Sequence, residues 1–173
     1  GSVLKLVTLA AGIDSGAVKP NSVYVDTGKF DVGGRYIYNS EYRVWGKVDL
    51  EDVLVHSINT IAATMARDMT APVFYRYQSL FGFGQRTGID LASETSGIVR
   101  TPNDAMWTKS DLSTNSYGQG IAASSMQVIN AINVIANDGV LLQPYIVQEV
   151  RYADGRVFST RPTETKRVIT PDT

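Results

Sequence analysis

Ser2 and Lys5 are the first residues of the chain whose types and spacing could support catalysis. A serine and a lysine three residues apart lie on one face of a helix, one turn from each other. A lysine that is desolvated loses its proton more readily and can take the proton of a serine hydroxyl. The pair is therefore a candidate nucleophile and base, although Ser-x-x-Lys is common and a capping serine beside a solvated lysine also explains it.

A second pattern, Ser57-Ile58-Asn59, follows 55 residues after Ser2 and lies between two predicted helices. A loop at this place can hold a hydroxyl and an amide outside the helical hydrogen-bond ladder and direct both into a cleft. Serine and asparagine are also frequent helix caps, which explains either residue alone. Together the two patterns predict that Ser2, Lys5 and the loop at 57–59 converge on one cleft.

The elements that must position these residues are predominantly helical. Apolar spacing and capping residues predict helices over 2–14, 50–56, 60–68, 72–80 and 124–136. Short β-prone runs occur at 22–25 and 35–38, and the runs 145–152 and 157–159 form a predicted hairpin around Ala153-Asp154-Gly155-Arg156. Residues 85–119 are predicted to be irregular. The first helix begins without any preceding element, which suggests a chain cut from a longer one.

Composition excludes several classes of function. The chain has no cysteine, which rules out disulfides and thiolate zinc sites, and His56 is its only histidine, so a multi-histidine metal site cannot form. A formal net charge of -1 gives no basic patch for nucleic acid. No apolar run approaches the roughly 18 to 20 residues that span a bilayer. We expect a soluble chain that binds no metal, cofactor or nucleic acid.

Beyond the two patterns, the chain resembles the transpeptidase domain of class B, monofunctional penicillin-binding proteins. Penicillin-binding proteins and class A β-lactamases share Ser-x-x-Lys, a Ser-Asp-Asn-type motif and Lys-Thr-Gly. The resemblance rests on several segments in the family's order: Gly1-Ser2-Val3-Leu4-Lys5-Leu6, Val48-Asp49-Leu50-Glu51-Asp52-Val53-Leu54, Ser57-Ile58-Asn59, Phe81-Gly82-Phe83-Gly84, Thr87-Gly88-Ile89-Asp90-Leu91, Glu94, Gly118-Gln119-Gly120 and Met126-Gln127. It covers nearly the whole chain.

The resemblance implies acyl transfer from a peptidoglycan stem peptide. Ser2 would attack the carbonyl of D-Ala-D-Ala, Lys5 would act as general base, and Ser57 would relay the proton to the leaving amine. Asn59 and Gly120 would bind substrate, with Asn59 also orienting Lys5, and the Ser2 amide would supply one oxyanion donor. β-Lactam antibiotics would acylate Ser2 as mimics of the dipeptide. The parent would be anchored in the bacterial cytoplasmic membrane through a segment absent here and would act at its outer face.

The third family motif does not occur in this sequence. No Lys-Ser-Gly or Lys-Thr-Gly occurs, and Gln85-Arg86-Thr87-Gly88 lies where the family has a structural turn. The expected fold is therefore α+β, the predominantly helical part of a β-lactamase/transpeptidase-like fold, with most of the central sheet and the Lys-Thr-Gly strand missing. Residues 1–173 would form a single incomplete domain. We expect poor acylation, and self-association or pairing with a complementary fragment through the exposed apolar faces.

Rival interpretations remain. Asp26-Thr27-Gly28 resembles the loop of an aspartic protease, but a single copy favours a turn that closes a small strand, and retained function after Asp26→Asn would support the turn. His56 is interpreted as an ordinary side chain near the loop, since adjacent helical positions point apart. A penicillin-sensing receptor domain would use the same serine and lysine without turnover. A catalytically inert folded fragment is the remaining alternative.

Overall fold

The computed structural model describes all 173 residues. Its six α-helices are α1 (Leu4–Asp14), α2 (Leu50–Val55), α3 (Asn59–Met69), α4 (Ala71–Leu80), α5 (Lys109–Ser116) and α6 (Ser125–Ala136). The eight strands are β1 (Tyr24–Asp26), β2 (Lys29–Val32), β3 (Arg35–Tyr38), β4 (Gly46–Val48), β5 (Val140–Gln143), β6 (Glu149–Arg151), β7 (Val157–Ser159) and β8 (Thr163–Arg167). None of the helices combines the length with the hydropathy that a bilayer-spanning segment requires.

Helix α1 lies at the centre of the helical layer. It contacts α2, α3, α4, α5 and α6. A helix that is apolar around most of its circumference belongs in a core, and α1 buries Leu4, Val7, Ala10 and Ala11. Burial of this helix carries its N-terminal end, with Lys5, into the interior.

The helix starts follow local capping chemistry. Asp49 accepts a hydrogen bond from the Asp52 amide at the start of α2, and Ser124 accepts one from the Gln127 amide at the start of α6. In both capping boxes the third helical residue also accepts from the amide of the cap. These two helices and α1, α3 and α4 confirm the five predicted from the sequence, with ends that shift by at most two residues.

The prediction that residues 85–119 are irregular was wrong at α5. This helix has almost no apolar residues, and it buries the polar side chains of Ser113, Asn115 and Ser116 against the fold. Apolar periodicity therefore could not reveal it. A local signal was present in Thr108 and Asp111, which form a capping box at its start.

The strands form four separate antiparallel pairs: β1 with β4, β2 with β3, β5 with β8, and β6 with β7. The predicted terminal hairpin is confirmed, with Val150 opposite Phe158, although β6 begins at Glu149 rather than at Tyr145. Strand β3 was predicted with its observed bounds, whereas β2, β4, β5 and β8 were not predicted. No sheet exceeds two strands. More residues are helical than extended, so the fold is mixed and predominantly helical, as expected.

The C-terminal segment is tied to the end of α1 by Asp14. Its carboxylate accepts hydrogen bonds from the Tyr77 hydroxyl at 2.5 Å and from the Thr170 amide at 2.7 Å. An acidic residue at a helix C-terminus is unfavourable to the helix dipole, and these donors offset that cost. The pKa of Asp14 is accordingly lowered, because its hydrogen bonds outweigh the opposing effect of burial.

Candidate active site

Three predicted side chains meet at the amine of a fourth, Lys5. Lys5 Nζ lies 3.0 Å from Ser2 Oγ, 3.0 Å from Ser57 Oγ and 2.8 Å from Asn59 Oδ1. Ser57 Oγ in turn donates to Ser2 Oγ at 2.8 Å. The two sequence patterns, 55 residues apart, therefore form one polar cluster with the two hydroxyls and the amine in mutual hydrogen-bonding contact.

Ser2 and Lys5 are positioned by the turn that enters α1. The amide of Lys5 donates to the Ser2 carbonyl at 3.0 Å, so the turn begins before the first regular helical residue. Leu4 and Val7 are buried in the core and fix the helix, while Ser2 is exposed at its end. The Ser2 amide donates to no protein acceptor. The serine thus presents a hydroxyl and a free N–H at the surface above a buried lysine.

The second motif is placed by the way α2 ends. The Ile58 amide donates to the Val53 carbonyl at 3.0 Å and the Ser57 amide to the Leu54 carbonyl at 3.2 Å, which is the Schellman arrangement. Val53 and Ile58, both buried, supply the hydrophobic contact that accompanies it. Ser57 has φ of 55° at the position where glycine is usual. Serine at this position has a strained backbone, but its hydroxyl, which glycine lacks, points at Ser2.

Burial alters the acid-base behaviour of Lys5. Lys5 is only 2% exposed, and desolvation lowers the pKa of its amine from 10.5 to about 8. No carboxylate pairs with the amine, and the ring of Tyr117 lies 5.6 Å from it. A lysine in this state carries a substantial neutral fraction just above neutral pH and can accept a proton.

A cleft of about 500 Å³ opens beside Asn59. One wall is the segment from Arg35 to Ser40, and the other is formed by α5 and the residues after it: Ser110, Thr114, Tyr117 and Gln119. The second of these walls is called the α5 wall. The sequence analysis did not predict that the α5 wall or β3 lines the cleft. The carbonyl of Tyr38 accepts a hydrogen bond from Asn59 Nδ2 at 3.1 Å, so β3 also orients the Asn59 amide.

Gly118 allows the α5 wall to approach the first residues of the chain, and Gly120 allows a close contact with α5 itself. Gly118 has φ of 81°, and a Cβ placed on it would lie 2.1 Å from the Gly1 carbonyl oxygen. A Cβ on Gly120 would lie 1.9 Å from Asn115 Oδ1. Gly120, a predicted substrate-binding residue, is therefore packed against α5, and the cleft lining at this place comes from Gln119.

Asp26 and His56, the residues of the rival interpretations, are not part of the cluster around the Lys5 amine. Asp26 is buried and accepts four hydrogen bonds, which together lower its pKa despite burial. The His56 ring stacks on Trp45 with 3.8 Å between ring centroids, and its Nε2 lies 3.9 Å from an Asp52 carboxylate oxygen. Neither residue has a hydrogen bond with Ser2. No cluster of three or more histidine, aspartate or glutamate side chains has metal-binding geometry.

Comparison with known proteins bears on this arrangement. A family model described as the penicillin-binding protein transpeptidase domain matches residues 1–173. The chain belongs to the penicillin-binding protein transpeptidase family. This confirms the predicted family, whose members include peptidoglycan D,D-transpeptidases.

Relatives in this transpeptidase family match almost the whole chain. The penicillin-binding protein PbpB of Mycolicibacterium smegmatis is 32% identical over 173 residues, covering 100% of this chain and 26% of PbpB. The peptidoglycan D,D-transpeptidase MrdA of Acinetobacter baumannii is 28% identical over 160 residues, covering 86% of this chain and 23% of MrdA. The chain therefore spans about a quarter of the length of these curated relatives.

A solved structure shares the fold of this transpeptidase chain. Penicillin-binding protein 3 of Mycobacterium tuberculosis, complexed with aztreonam, superposes with a TM-score of 0.88 at 28% identity, covering 99% of this chain and 38% of that protein. The predicted fold class, part of a transpeptidase fold with mixed helix and strand, is confirmed by this likeness.

Proposed function

We propose that this chain carries the serine-lysine acyl-transfer site of a D,D-transpeptidase that cross-links peptidoglycan stem peptides. The observation that carries the proposal is the position of Lys5 Nζ, within 3.0 Å of Ser2 Oγ, Ser57 Oγ and Asn59 Oδ1. The name of MrdA, a peptidoglycan D,D-transpeptidase, supports the substrate class. Residues 1–173 would then be one portion of a single transpeptidase domain.

In the proposed reaction, neutral Lys5 takes the proton of Ser2 while Ser2 Oγ attacks the carbonyl carbon between two D-alanines. The Ser57 hydroxyl, 2.8 Å from Ser2 Oγ and 3.0 Å from Lys5 Nζ, passes a proton to the departing D-alanine amine as the peptide bond breaks. An amine of a second stem peptide then attacks the acyl-serine and regenerates the hydroxyl. The free Ser2 amide supplies one hydrogen bond to the oxyanion.

β-Lactams would react at the same serine. Their strained amide replaces the D-Ala-D-Ala bond, and opening of the ring leaves an acyl-serine. Structures of penicillin-binding protein 3 of Mycobacterium tuberculosis with aztreonam and with ampicillin support this expectation. Peptidoglycan and β-lactams are therefore the proposed ligands, and the outer face of the bacterial cytoplasmic membrane is the proposed place of action.

We also propose that the 173-residue chain alone reacts slowly. It contains no Lys-Ser-Gly or Lys-Thr-Gly to complete the oxyanion hole and bind the substrate carboxylate. Removal of one oxyanion donor costs an enzyme about 10²- to 10³-fold in rate, which sets the expected scale. Exposed apolar side chains such as Leu6 and Ile129 favour association of the chain with itself or with a complementary fragment.

The test uses a chimera in which this chain replaces the matching residues of Mycolicibacterium smegmatis PbpB. We expect intact-mass analysis to show a benzylpenicillin adduct on the chimera, and no adduct after Ser2→Ala. Thr8→Ala, which removes a buried hydroxyl of the same helix, is the control. A chimera that folds but is labelled equally with and without Ser2 contradicts the acyl-transfer proposal.

Two further measurements define the limits of the proposal. The isolated chain should form the adduct far more slowly than the chimera, and equal rates would reject the proposed impairment. A penicillin-sensing receptor would also retain the drug, so the chimera must turn over a D-Ala-D-Ala stem peptide or its thioester analogue. Labelling by penicillin without any such turnover would favour the receptor.

A further inference from the structure

Asp26 lies at the centre of a buried polar network that the proposed reaction does not use. Its residue is 1% exposed at the end of β1. One carboxylate oxygen accepts from the Gly28 amide at 2.9 Å and from the Thr60 hydroxyl at 2.6 Å. The other accepts from Asn39 Nδ2 at 2.8 Å and from the Trp45 amide at 2.9 Å.

This network is larger than a strand-closing turn requires. The bond to Gly28 alone would close the turn, as Asp31 does on β2 by accepting from the Gly34 amide at 2.9 Å. Asp31 is exposed, whereas Asp26 is buried. A buried carboxylate is tolerated only with its acceptor sites filled, and here the additional donors come from three separate segments of the chain.

Two of those donors stand next to residues of the site. Asn39 follows Tyr38, whose carbonyl accepts from Asn59 Nδ2, and Thr60 follows Asn59 itself. Asn39 and Thr60 also bond each other, with the Thr60 amide donating to Asn39 Oδ1 at 3.1 Å. Asp26 therefore binds Asn39 and Thr60, the residues that follow Tyr38 and Asn59 in the sequence. Tyr38 and Asn59 make the contact that orients the Asn59 amide.

The direction of that amide matters for Lys5. With Nδ2 on the Tyr38 carbonyl, Oδ1 faces Lys5 Nζ at 2.8 Å. A reversed amide would place its NH2 group against the amine and leave the Tyr38 carbonyl facing an oxygen. The position of Tyr38 relative to α3 thus decides whether Asn59 presents an acceptor or a donor to Lys5.

We propose that Asp26 is a positioning residue for the transpeptidase site, which it serves by fixing Tyr38 and Asn59 through Asn39 and Thr60. The inference rests on the proposed function of that site. It also reverses the expectation that Asp26→Asn would leave function intact. Asparagine keeps the shape of the side chain but replaces one acceptor oxygen with an NH2 group. That NH2 group would face a hydrogen-bond donor, either Asn39 Nδ2 or the Thr60 hydroxyl.

The test follows Lys5 in the 173-residue chain by NMR, with isotope-labelled lysine titrated between pH 6 and 11. Wild type should show the lowered pKa of about 8. In Asp26→Asn the Asn59 amide is no longer held with Oδ1 toward Lys5, so the ammonium form loses an acceptor and the Lys5 pKa should fall by about one unit or more. Asp31→Asn removes an exposed turn-closing carboxylate that has no hydrogen bond to the Asp26 network, and it should leave the Lys5 pKa unchanged.

A second pair of variants covers the case in which Asp26→Asn fails to fold. Thr60→Val removes the hydroxyl at nearly constant volume, and Thr60→Ser retains the hydroxyl. We expect Thr60→Val to lower the Lys5 pKa and Thr60→Ser to keep the wild-type value. A residue with only a structural role would lower the unfolding temperature of these variants without moving the Lys5 titration.

The proposal is overturned if the folded variants Asp26→Asn and Thr60→Val both titrate Lys5 as wild type does, or at a higher pH. The measurement does not depend on acylation. A shifted Lys5 pKa in a chain whose chimera is not acylated would therefore reject the proposed function alone. In a chimera that is acylated, the same variants should react roughly 10- to 100-fold more slowly, the scale expected for misplaced catalytic groups.

Discussion

The site region and the terminal hairpin use polar residues in opposite ways. Around the site, Lys5, Asp26 and Thr60 are buried with their polar atoms bonded to partners from distant segments. In the hairpin, every residue of β6 and β7 is exposed, and the ion pair between Arg156 and Asp154 is local and solvated. Around the site, burial and hydrogen bonding hold polar residues from distant parts of the sequence in one fixed arrangement. The hairpin has no such buried polar arrangement.

The two regions also differ in how they use left-handed backbone. Gly155 turns the hairpin with φ of 87° in open space, and Gly118 has a similar φ of 81° pressed against Gly1. Ser57 adopts φ of 55° without being a glycine. A positive φ in the hairpin serves only the turn, whereas the same conformation near the site brings a wall or a hydroxyl to the nucleophile.

The largest expected effect comes from removing the base of the site. Lys5→Met in the chimera should lower the rate of Ser2 acylation about 10²- to 10⁴-fold, since a general base is lost. With the base present, the rate should rise about tenfold per pH unit toward the Lys5 pKa of about 8 and level off above it, because only the neutral amine accepts a proton. Initial rates of adduct formation between pH 6 and 9 measure this profile.

The control for that experiment is Lys19→Met, since Lys19 is an exposed lysine outside the site. It should leave both the rate and the pH profile at the wild-type values. A flat pH profile for wild type, or an acylation rate in Lys5→Met within threefold of wild type, would show that Lys5 is not the base.

The sequence predicted the parts of the site that local patterns encode. Ser2, Lys5, Ser57 and Asn59 were predicted from spacing and from the break between two helices, and the structure brings their side chains together. The positive φ of Ser57 was not predicted, because the usual signal for it is a glycine. The wall formed by α5 was also missed, since its buried residues Asn115 and Ser116 are polar and give no apolar period.

A second prediction compares the same glycine substitution in the two regions. Gly118→Ala meets both an unfavourable φ and the Gly1 backbone at 2.1 Å, so it should reduce the free energy of unfolding by about 2 to 4 kcal/mol. Gly155→Ala meets only the unfavourable φ, because no atom lies within 4 Å, and should cost about 1 kcal/mol. Chemical denaturation of both variants measures the difference. Equal costs would contradict the close approach of the α5 wall to the first residues.

A third prediction isolates the strain at Ser57. Ser57→Ala and Ser57→Gly both remove the hydroxyl, but only glycine adopts φ of 55° freely. The glycine variant should therefore be more stable than the alanine variant by about 1 kcal/mol, while both lose acylation equally in the chimera. Urea denaturation of the pair checks the stability difference. An alanine variant as stable as the glycine variant would mean that the α2 end relaxes when the hydroxyl is absent.

The smallest effect is expected in the hairpin. Phe158 is 58% exposed opposite Val150, so Phe158→Thr, which keeps a strand-forming residue, should change the free energy of unfolding by at most about 0.5 kcal/mol. Phe74→Ala serves as the contrast, since this fully buried phenylalanine should cost about 3 to 5 kcal/mol. The Lys5 titration should be unchanged in Phe158→Thr. A loss above about 1 kcal/mol at Phe158, dependent on protein concentration, would mean that a second copy of the chain covers this face, because only association makes the stability of an exposed residue depend on concentration.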